Sequence, residues 1–216
     1  MRKIIFLGIL FVMGVFCIGC ENQITPSQDI AVHKSEEIDY EDSGTIDDIK
    51  WSIKEGILTI GGEGALREVP WKECADYIQK IIIEDGVTQL PYLCFSNYEN
   101  LNEVIIGNGI TDIGPDTFLE CKNLSTVVFG EGLSIIDGGA FSGCSFKEFT
   151  VPEGVYLING EAFAGCKELE KVTIPETVTQ IGEDVFKECE NVVVYTVKGS
   201  KAEEYAKEHG IPYVLE

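Results

Sequence analysis

A phrase of seven residues recurs along the chain at a nearly constant interval. The letters GGAFSGC occupy positions 138–144, and GEAFAGC follows at positions 160–166. When the chain is aligned on the aromatic residue of this phrase, five phenylalanines are found at spacings of 23, 23, 22 and 23 residues: Phe95, Phe118, Phe141, Phe163 and Phe186. A fixed period of roughly 20–29 residues is typical of a solenoid, in which each repeat forms one coil of a stack.

Other positions keep the same period. A cysteine lies three residues after four of the phenylalanines, at Cys121, Cys144, Cys166 and Cys189. Each repeat then continues with an apolar residue and a short strand-like segment, namely EVII, TVVF, EFTV, KVTI or VVVY. The third of these units departs by one residue, because Phe146 follows Cys144 at two positions rather than three. Trp71 and Cys74 form a degenerate first copy of the repeat.

The full phrase, I-G-x-x-A-F-x-x-C-x-x-L-x-x-V-x-I-P-x-x-V, resembles the BspA-like leucine-rich repeats of bacterial surface proteins over residues 71–197. This resemblance implies a repeat solenoid that is mainly β, with a leucine-rich-repeat-like, right-handed stack of coils. It also implies a binding protein, because members of that family are linked with adhesion to host or matrix proteins and to other cells.

The repeat residues are explained by a shared core. A single coil cannot bury its own apolar side, whereas stacked coils enclose one continuous interior. We therefore expect the five phenylalanines to fill the corners of the coils and the four repeat cysteines to point into the core. Buried free cysteine behaves as a small hydrophobe, which favours free thiols. The alternative is a set of disulfides, because the chain has six cysteines beyond the first 20 residues, which is an even number. Side chains that point in the same direction, however, suit a disulfide poorly.

The N-terminal segment has the pattern of an export signal. Two basic residues precede an apolar run over 4–18, which is shorter than the ~20 residues that a membrane-spanning helix needs. A glycine directly before Cys20 resembles the lipobox of bacterial lipoproteins, although Cys17 stands where that pattern usually has leucine. We expect a signal peptide at 1–19 and a lipidated Cys20 that anchors the protein on the extracellular side of a bacterial cell membrane. Simple cleavage, or an uncleaved anchor, is the alternative.

The segments on either side of the repeats have different compositions. Residues 20–44 are acidic and lack apolar periodicity, which predicts a disordered linker. Residues 45–70 are expected to form an N-terminal β cap, with a hairpin over 47–62. Residues 198–216 are expected to form a C-terminal helical cap, where Ser200 and Glu203 predict a capping box. A helix that covers the last coil protects a strand edge that would otherwise template aggregation.

Composition argues against several kinds of chemistry. The formal net charge of −21 disfavours nucleic acid and anionic lipid surfaces as partners. The only histidines, His33 and His209, lie outside the repeats, which leaves no plausible Ser–His–Asp arrangement. The acidic segments 84–86 and 112–116 lack the ligand spacing of an EF-hand, and no cysteine or histidine cluster supports zinc. The sequence therefore predicts no enzyme, no catalytic residue, no metal and no cofactor.

The remaining candidate site is the face of the solenoid that is lined by the strands. Alternation along each strand predicts that ten side chains point outward: Lys80, Ile82, Glu103, Ile105, Thr126, Val128, Glu148, Thr150, Lys171 and Thr173. The apolar column Ile82, Ile105 and Val128 predicts a partner site, although β-branched residues also favour strands for their own sake.

Three classes of function follow for this face. A protein ligand (a host, matrix or bacterial surface protein) is the favoured partner. A cell-wall or dietary glycan is the alternative, although glycan sites usually expose aromatic rings and the outward strand positions offer few, such as Tyr195. An unrecognised hydrolase is the third and weakest interpretation, because the histidines are missing.

Overall fold

The computed structural model describes residues 41–216, so the predicted signal peptide, Cys20 and the linker up to residue 40 lie outside the described residues. In chain order, the elements are β1 (Asp42–Ile46), β2 (Ile49–Lys54), β3 (Ile57–Gly62), β4 (Gly64–Ala65), a 3-10 helix (Lys72–Tyr77), β5 (Lys80–Ile83), β6 (Val87–Gln89), β7 (Glu103–Ile106), β8 (Asp112–Ile113), β9 (Thr126–Phe129), β10 (Ile135–Ile136), β11 (Glu148–Thr150), β12 (Leu157–Ile158), β13 (Lys171–Thr173), β14 (Gln180–Ile181), β15 (Val193–Thr196), α1 (Lys201–His209) and β16 (Tyr213–Leu215). Within residues 41–216, no helix has the length and apolar composition needed to cross a membrane.

The strands form sheets on two sides of a stack of coils. The strand face consists of one sheet in the order β1-β2-β3-β5-β7-β9 and a second sheet in the order β11-β13-β15-β16. The opposite side carries the short strands β8, β10, β12 and β14 in one sheet and the pair β4-β6. Within each of the two sheets of the strand face, the strands of successive repeats pair in parallel at equivalent positions, for example Ile81 with Val104 and Val104 with Val127. The predicted fold class, a mainly β solenoid of stacked coils, is confirmed.

The five repeat phenylalanines form one column inside the stack. From Phe95 to Phe186, the centroids of successive rings lie 5.5, 5.5, 5.7 and 5.8 Å apart, with planes inclined by no more than 17°. Trp71 continues the column, 6.3 Å from Phe95. Every coil thus adds one aromatic ring to a common core, which no coil would enclose alone.

Both ends of this column are closed by other aromatic side chains. At the first end, Trp51 from β2 tilts against Trp71 at a centroid distance of 5.5 Å. At the last end, Tyr205 from α1 meets Phe186 edge-on at 6.2 Å, and its hydroxyl accepts a hydrogen bond of 3.0 Å from the amide of Val185. The caps therefore bury the terminal rings that an unfinished stack would leave in water.

The corner formed by the repeated phrase explains its glycines. The residues two positions before and two positions after each phenylalanine all have φ between 54° and 73°: Leu93, Asn97, Asp116, Glu120, Gly139, Gly143, Glu161, Gly165, Asp184 and Glu188. Gly139 and Gly143 adopt this left-handed backbone without steric cost because they lack a Cβ atom. Between them, the amide of Phe141 donates to the carbonyl of Ala162 in the next coil at 2.9 Å. The phrase is thus a turn that stacks on its own copies.

The repeat cysteines are buried free thiols. The Sγ atoms of Cys121, Cys144, Cys166 and Cys189 lie 3.0, 3.3, 3.2 and 3.1 Å from the carbonyl oxygen of the phenylalanine in the preceding coil, to which they donate. Burial raises the pKa of the Cys121 and Cys166 thiols to about 12 and that of Cys189 to about 11. The protonated thiol therefore gives the carbonyls of Phe118, Phe141 and Phe163 a second donor, beside the amide of the cysteine in their own coil.

The N-terminal cap is larger than the sequence predicts. The expected hairpin is present as β2 and β3, with Ile49, Trp51 and Ile53 buried on one side. Strand β1 adds a third antiparallel strand against β2 and begins at Asp42. The predicted linker, 20–44, therefore extends three residues too far, because pairing with β2 holds a segment whose polar letters show no strand alternation.

The C-terminal cap contains a strand as well as the predicted helix. The hydroxyl of Ser200 accepts from the amide of Glu203 at 3.1 Å, but the carboxylate of Glu203 accepts from the amide of Gly199, at 2.6 Å, rather than from that of Ser200. Helix α1 covers the core, while β16 pairs in parallel with β15 and covers its edge. The predicted helix is therefore present, and the edge of β15 is covered in addition by a strand that the sequence did not predict, which satisfies its exposed backbone groups.

Candidate functional site

The first half of the strand face is a regular ladder across β3, β5, β7 and β9. Ile82, Ile105 and Val128 occupy equivalent positions on successive strands and form a single column. Val128 is 50% exposed, and the other two are half-buried by their neighbours. The ladder thus presents an apolar column on a rigid backbone at about 4.8 Å per strand.

A polar column runs beside the apolar one. Lys80, Glu103 and Thr126 are paired in register, and the ammonium group of Lys80 lies 2.9 Å from the carboxylate of Glu103. The two side chains are 28% and 34% exposed, so water screens the pair only in part. Such a pair contributes at most about 1 kcal/mol to folding, but it fixes the direction of both charges next to the apolar column.

The predicted face is not continuous. Strand β9 is the last strand of its sheet and β11 is the first strand of the next, and no ladder hydrogen bonds join them within residues 41–216. The stack itself is unbroken there, because β10 pairs with β12 on the opposite side and the amide of Ser145 donates to the carbonyl of Leu124 at 3.0 Å. The ten outward residues therefore form two separate patches, and the expectation of one flat face is wrong.

The break lies at the repeat that is one residue short. Where the other repeats have three residues from the cysteine position to the next apolar residue, Phe146 follows Cys144 after two. Bulky rings occupy this region: Phe129 and Phe149 meet at 5.9 Å, and Phe149 meets Phe146 at 5.0 Å. Phe129 remains partly exposed, whereas the equivalent Ile106 is buried.

The second half of the strand face is more polar. Glu148 pairs in register with Lys171, and Thr150 with Thr173. The ammonium group of Lys171 lies 4.6 Å from the ring centroid of Tyr195, over its face. This cation–π contact holds the lysine flat against the sheet, so this patch offers hydroxyl groups and one aromatic ring rather than an apolar column.

Several outward residues were missed by the sequence prediction. Ile57 and Thr59 of β3 extend the two columns of the first patch, opposite Lys80 and Ile82. Val214 of β16 extends the second patch beside Tyr195 and is 41% exposed. The alternation in β3 was a usable signal for the first two, but nothing in the short segment around Val214 indicates a strand that joins this sheet.

The described residues offer no evident centre for chemistry. Within residues 41–216, no three His, Cys, Asp or Glu side chains lie close enough together to hold a metal ion. In the acidic loop at 84–86, the carboxylate of Asp85 instead joins two coils, because it accepts from the backbone and side-chain amides of Asn108 at 2.8 and 3.1 Å.

Comparison with known proteins agrees with this geometry. Residues 71–193 match the family described as BspA type leucine rich repeat region, in six copies. That span is more than half of the 216 residues of the chain. No curated protein matches the chain.

Three solved structures share the fold. A leucine-rich repeat protein from Eubacterium ventriosum superimposes with a TM-score of 0.67 at 24% identity, covering 72% of this chain and 44% of that one. One from Bacteroides ovatus has a TM-score of 0.57 at 24% identity, with coverages of 70% and 46%. The leucine-rich repeat protein of T. pallidum has a TM-score of 0.53 at 20% identity, with coverages of 72% and 68%. The chain thus spans less than half the length of the first two proteins.

Proposed function

The chain belongs to the BspA-type leucine-rich repeat family, and we propose that it is a protein-binding module that acts through the first half of its strand face. The observation that carries this proposal is the aligned column of Ile82, Ile105 and Val128 beside the Lys80–Glu103 ion pair. An apolar centre with a polar border is the usual anatomy of a protein interface.

The rigidity of the ladder supports this role. Strands β3, β5 and β7 are each hydrogen-bonded to a neighbouring strand on both sides, and β9 is held by β7 on one side. A preformed surface loses little conformational entropy when a partner binds. The net charge of −21 favours partners with basic surfaces, because it steers them toward the molecule. Salt is therefore expected to slow association more than it speeds dissociation.

Display at the cell surface is the second part of the proposal. Diacylation of Cys20 supplies two acyl chains, which anchor a protein stably where a single chain does not. The acidic segment after Cys20 then separates the repeats from the membrane, and the module presents its face to host, matrix or bacterial surface proteins. This part rests on the lipobox-like residues alone. Replacing Cys20 with alanine is expected to abolish membrane retention and incorporation of labelled fatty acid in the producing cells, and unchanged labelling would contradict it.

The binding face is tested by adding charge to the column. We expect Ile105→Glu in the full-length chain to weaken binding to immobilised matrix and surface proteins at least tenfold, because a buried unpaired carboxylate costs more than 1.4 kcal/mol. Ile135→Glu is the matched control, since Ile135 is a half-buried isoleucine on the opposite sheet. Circular dichroism verifies that both variants remain folded. Binding that survives Ile105→Glu, or that falls equally in the control, would show that the partner uses another surface.

A further inference from the structure

A groove lined by carboxamide side chains runs along the edge where the chain enters the strand face. It is open to solvent, has a volume of about 380 Å³ and is lined by Gln79, Asn100, Asn102 and Asn123. This volume lies within the range of about 300–1,000 Å³ that is typical of small-molecule sites. All four side chains are exposed, and none of the lining residues is charged.

Two of these carboxamides are fixed in orientation. The side-chain nitrogen of Asn100 donates to the carbonyl of Asp76 at 2.7 Å, and that of Asn123 donates to the carbonyl of Glu99 at 2.5 Å. These bonds tie each asparagine to the preceding coil. Since the amino group is engaged in this way, the carbonyl oxygen of each side chain remains as an acceptor in a defined direction.

The other two carboxamides are unengaged. Within residues 41–216, the side chains of Gln79 and Asn102 have no hydrogen-bond partner, while the backbone amide of Asn102 donates to the carbonyl of Gln79 at 2.9 Å. They stand at equivalent positions immediately before β5 and β7, one strand apart. Each therefore offers both a donor and an acceptor beside the two fixed acceptors.

We propose that this carboxamide groove binds a neutral oligosaccharide. Sugar hydroxyl groups donate and accept hydrogen bonds at once, and uncharged amides match both roles. The absence of a lining cation and the net charge of −21 disfavour anionic ligands. A peptide would require apolar anchoring, which these four residues do not supply.

This site is separate from the proposed protein-binding column, and the test keeps the two apart. Titration calorimetry of the full-length chain with cellohexaose, maltohexaose, mannohexaose and chitohexaose, at up to about 10 mM, detects the weak affinity that a few hydrogen bonds provide. We expect at least one of these to bind. The double variant Gln79→Ala/Asn102→Ala is expected to lose at least tenfold in affinity, because each uncharged hydrogen bond accounts for roughly threefold to tenfold.

Two controls decide the interpretation. Gln180→Ala removes an exposed carboxamide from β14 on the opposite sheet and should leave sugar binding unchanged. Ile105→Glu should also leave it unchanged, so failure of the protein-binding proposal would not affect this one. The inference is overturned if none of the four oligosaccharides binds, or if the double variant binds as tightly as the natural chain. It is also overturned if the double variant loses only a protein ligand, since the groove would then belong to the protein interface.

Discussion

Truncating one ring in the middle of the aromatic column tests whether the column holds the stack together. Phe141 is completely buried and lies within 6.2 Å, centroid to centroid, of five other rings: Phe118, Phe129, Phe146, Phe149 and Phe163. Replacing a buried phenylalanine by alanine costs about 3–5 kcal/mol, through lost burial and the cavity that remains. Coils on both sides hold the walls of this cavity apart, so we expect Phe141→Ala to lie in the upper part of that range.

The measurement is the free energy of unfolding by urea, followed by circular dichroism. For a chain of this size each 1 kcal/mol corresponds to roughly 2–4 °C in Tm, so the expected loss lowers Tm by about 6–20 °C. Tyr156→Ala is the control on the surface, because Tyr156 is 42% exposed and its loss should cost less than about 0.5 kcal/mol. Phe186→Ala should fall between the two, since Phe186 stacks on only one phenylalanine and is 6% exposed. A loss below about 1 kcal/mol for Phe141→Ala would refute the column as the main core.

Four further outcomes follow from the corners, the cysteines, the cap and the break. Leu93→Gly should raise the free energy of unfolding by about 1 kcal/mol, because Leu93 is 51% exposed and held at φ 58°, where a side chain is unfavourable; a loss in the same urea assay would refute this. Cys94, Cys121, Cys144, Cys166 and Cys189 should not react with iodoacetamide at pH 8 in the folded protein, as read by peptide mass spectrometry, because burial raises the pKa of each thiol and suppresses the thiolate. Hydrogen bonds from Lys207 and Gly199 hold the pKa of Glu203 below its usual range, so its contribution to stability is present at neutral pH and lost as pH falls through that lowered pKa. The Tm difference between the natural chain and Glu203→Gln should therefore shrink below about pH 4, and a difference that is constant with pH would contradict this. The amides of Val127 and Phe129 face the break and should exchange hydrogen faster than their equivalents in β7, whereas equal protection would mean that the two sheets are joined.

The period of the repeat made most of the fold predictable. Because Phe and Cys recur at fixed spacing, the sequence located each corner, and strand alternation then assigned the outward residues of β5 and β7 correctly. The hairpin was equally clear, since Ile49, Trp51 and Ile53 alternate with polar residues.

The parts that were missed are held by tertiary contacts with no local signal. The short spacing between Cys144 and Phe146 was visible as a departure, but its effect depends on how rings from neighbouring coils pack at the break. The sequence of β1 has the polar composition of a linker, and the segment is a strand because it pairs with β2. All three residues of β16 are exposed, and the segment is a strand because it pairs with the edge strand β15. The carboxamide groove likewise combines residues from three coils, each of which is an ordinary polar loop residue by itself.

The proposed strand-face interface is tested most directly by methyl cross-saturation NMR on the full-length chain bound to a protein ligand. Saturation of the partner should attenuate the methyl signals of Ile82, Ile105 and Val128, which lie on the proposed face. It should leave the methyl signals of Ile135, on the opposite sheet, at full intensity. Attenuation at Ile135 with full intensity in the column would contradict the account, because the partner would then occupy the other side of the solenoid.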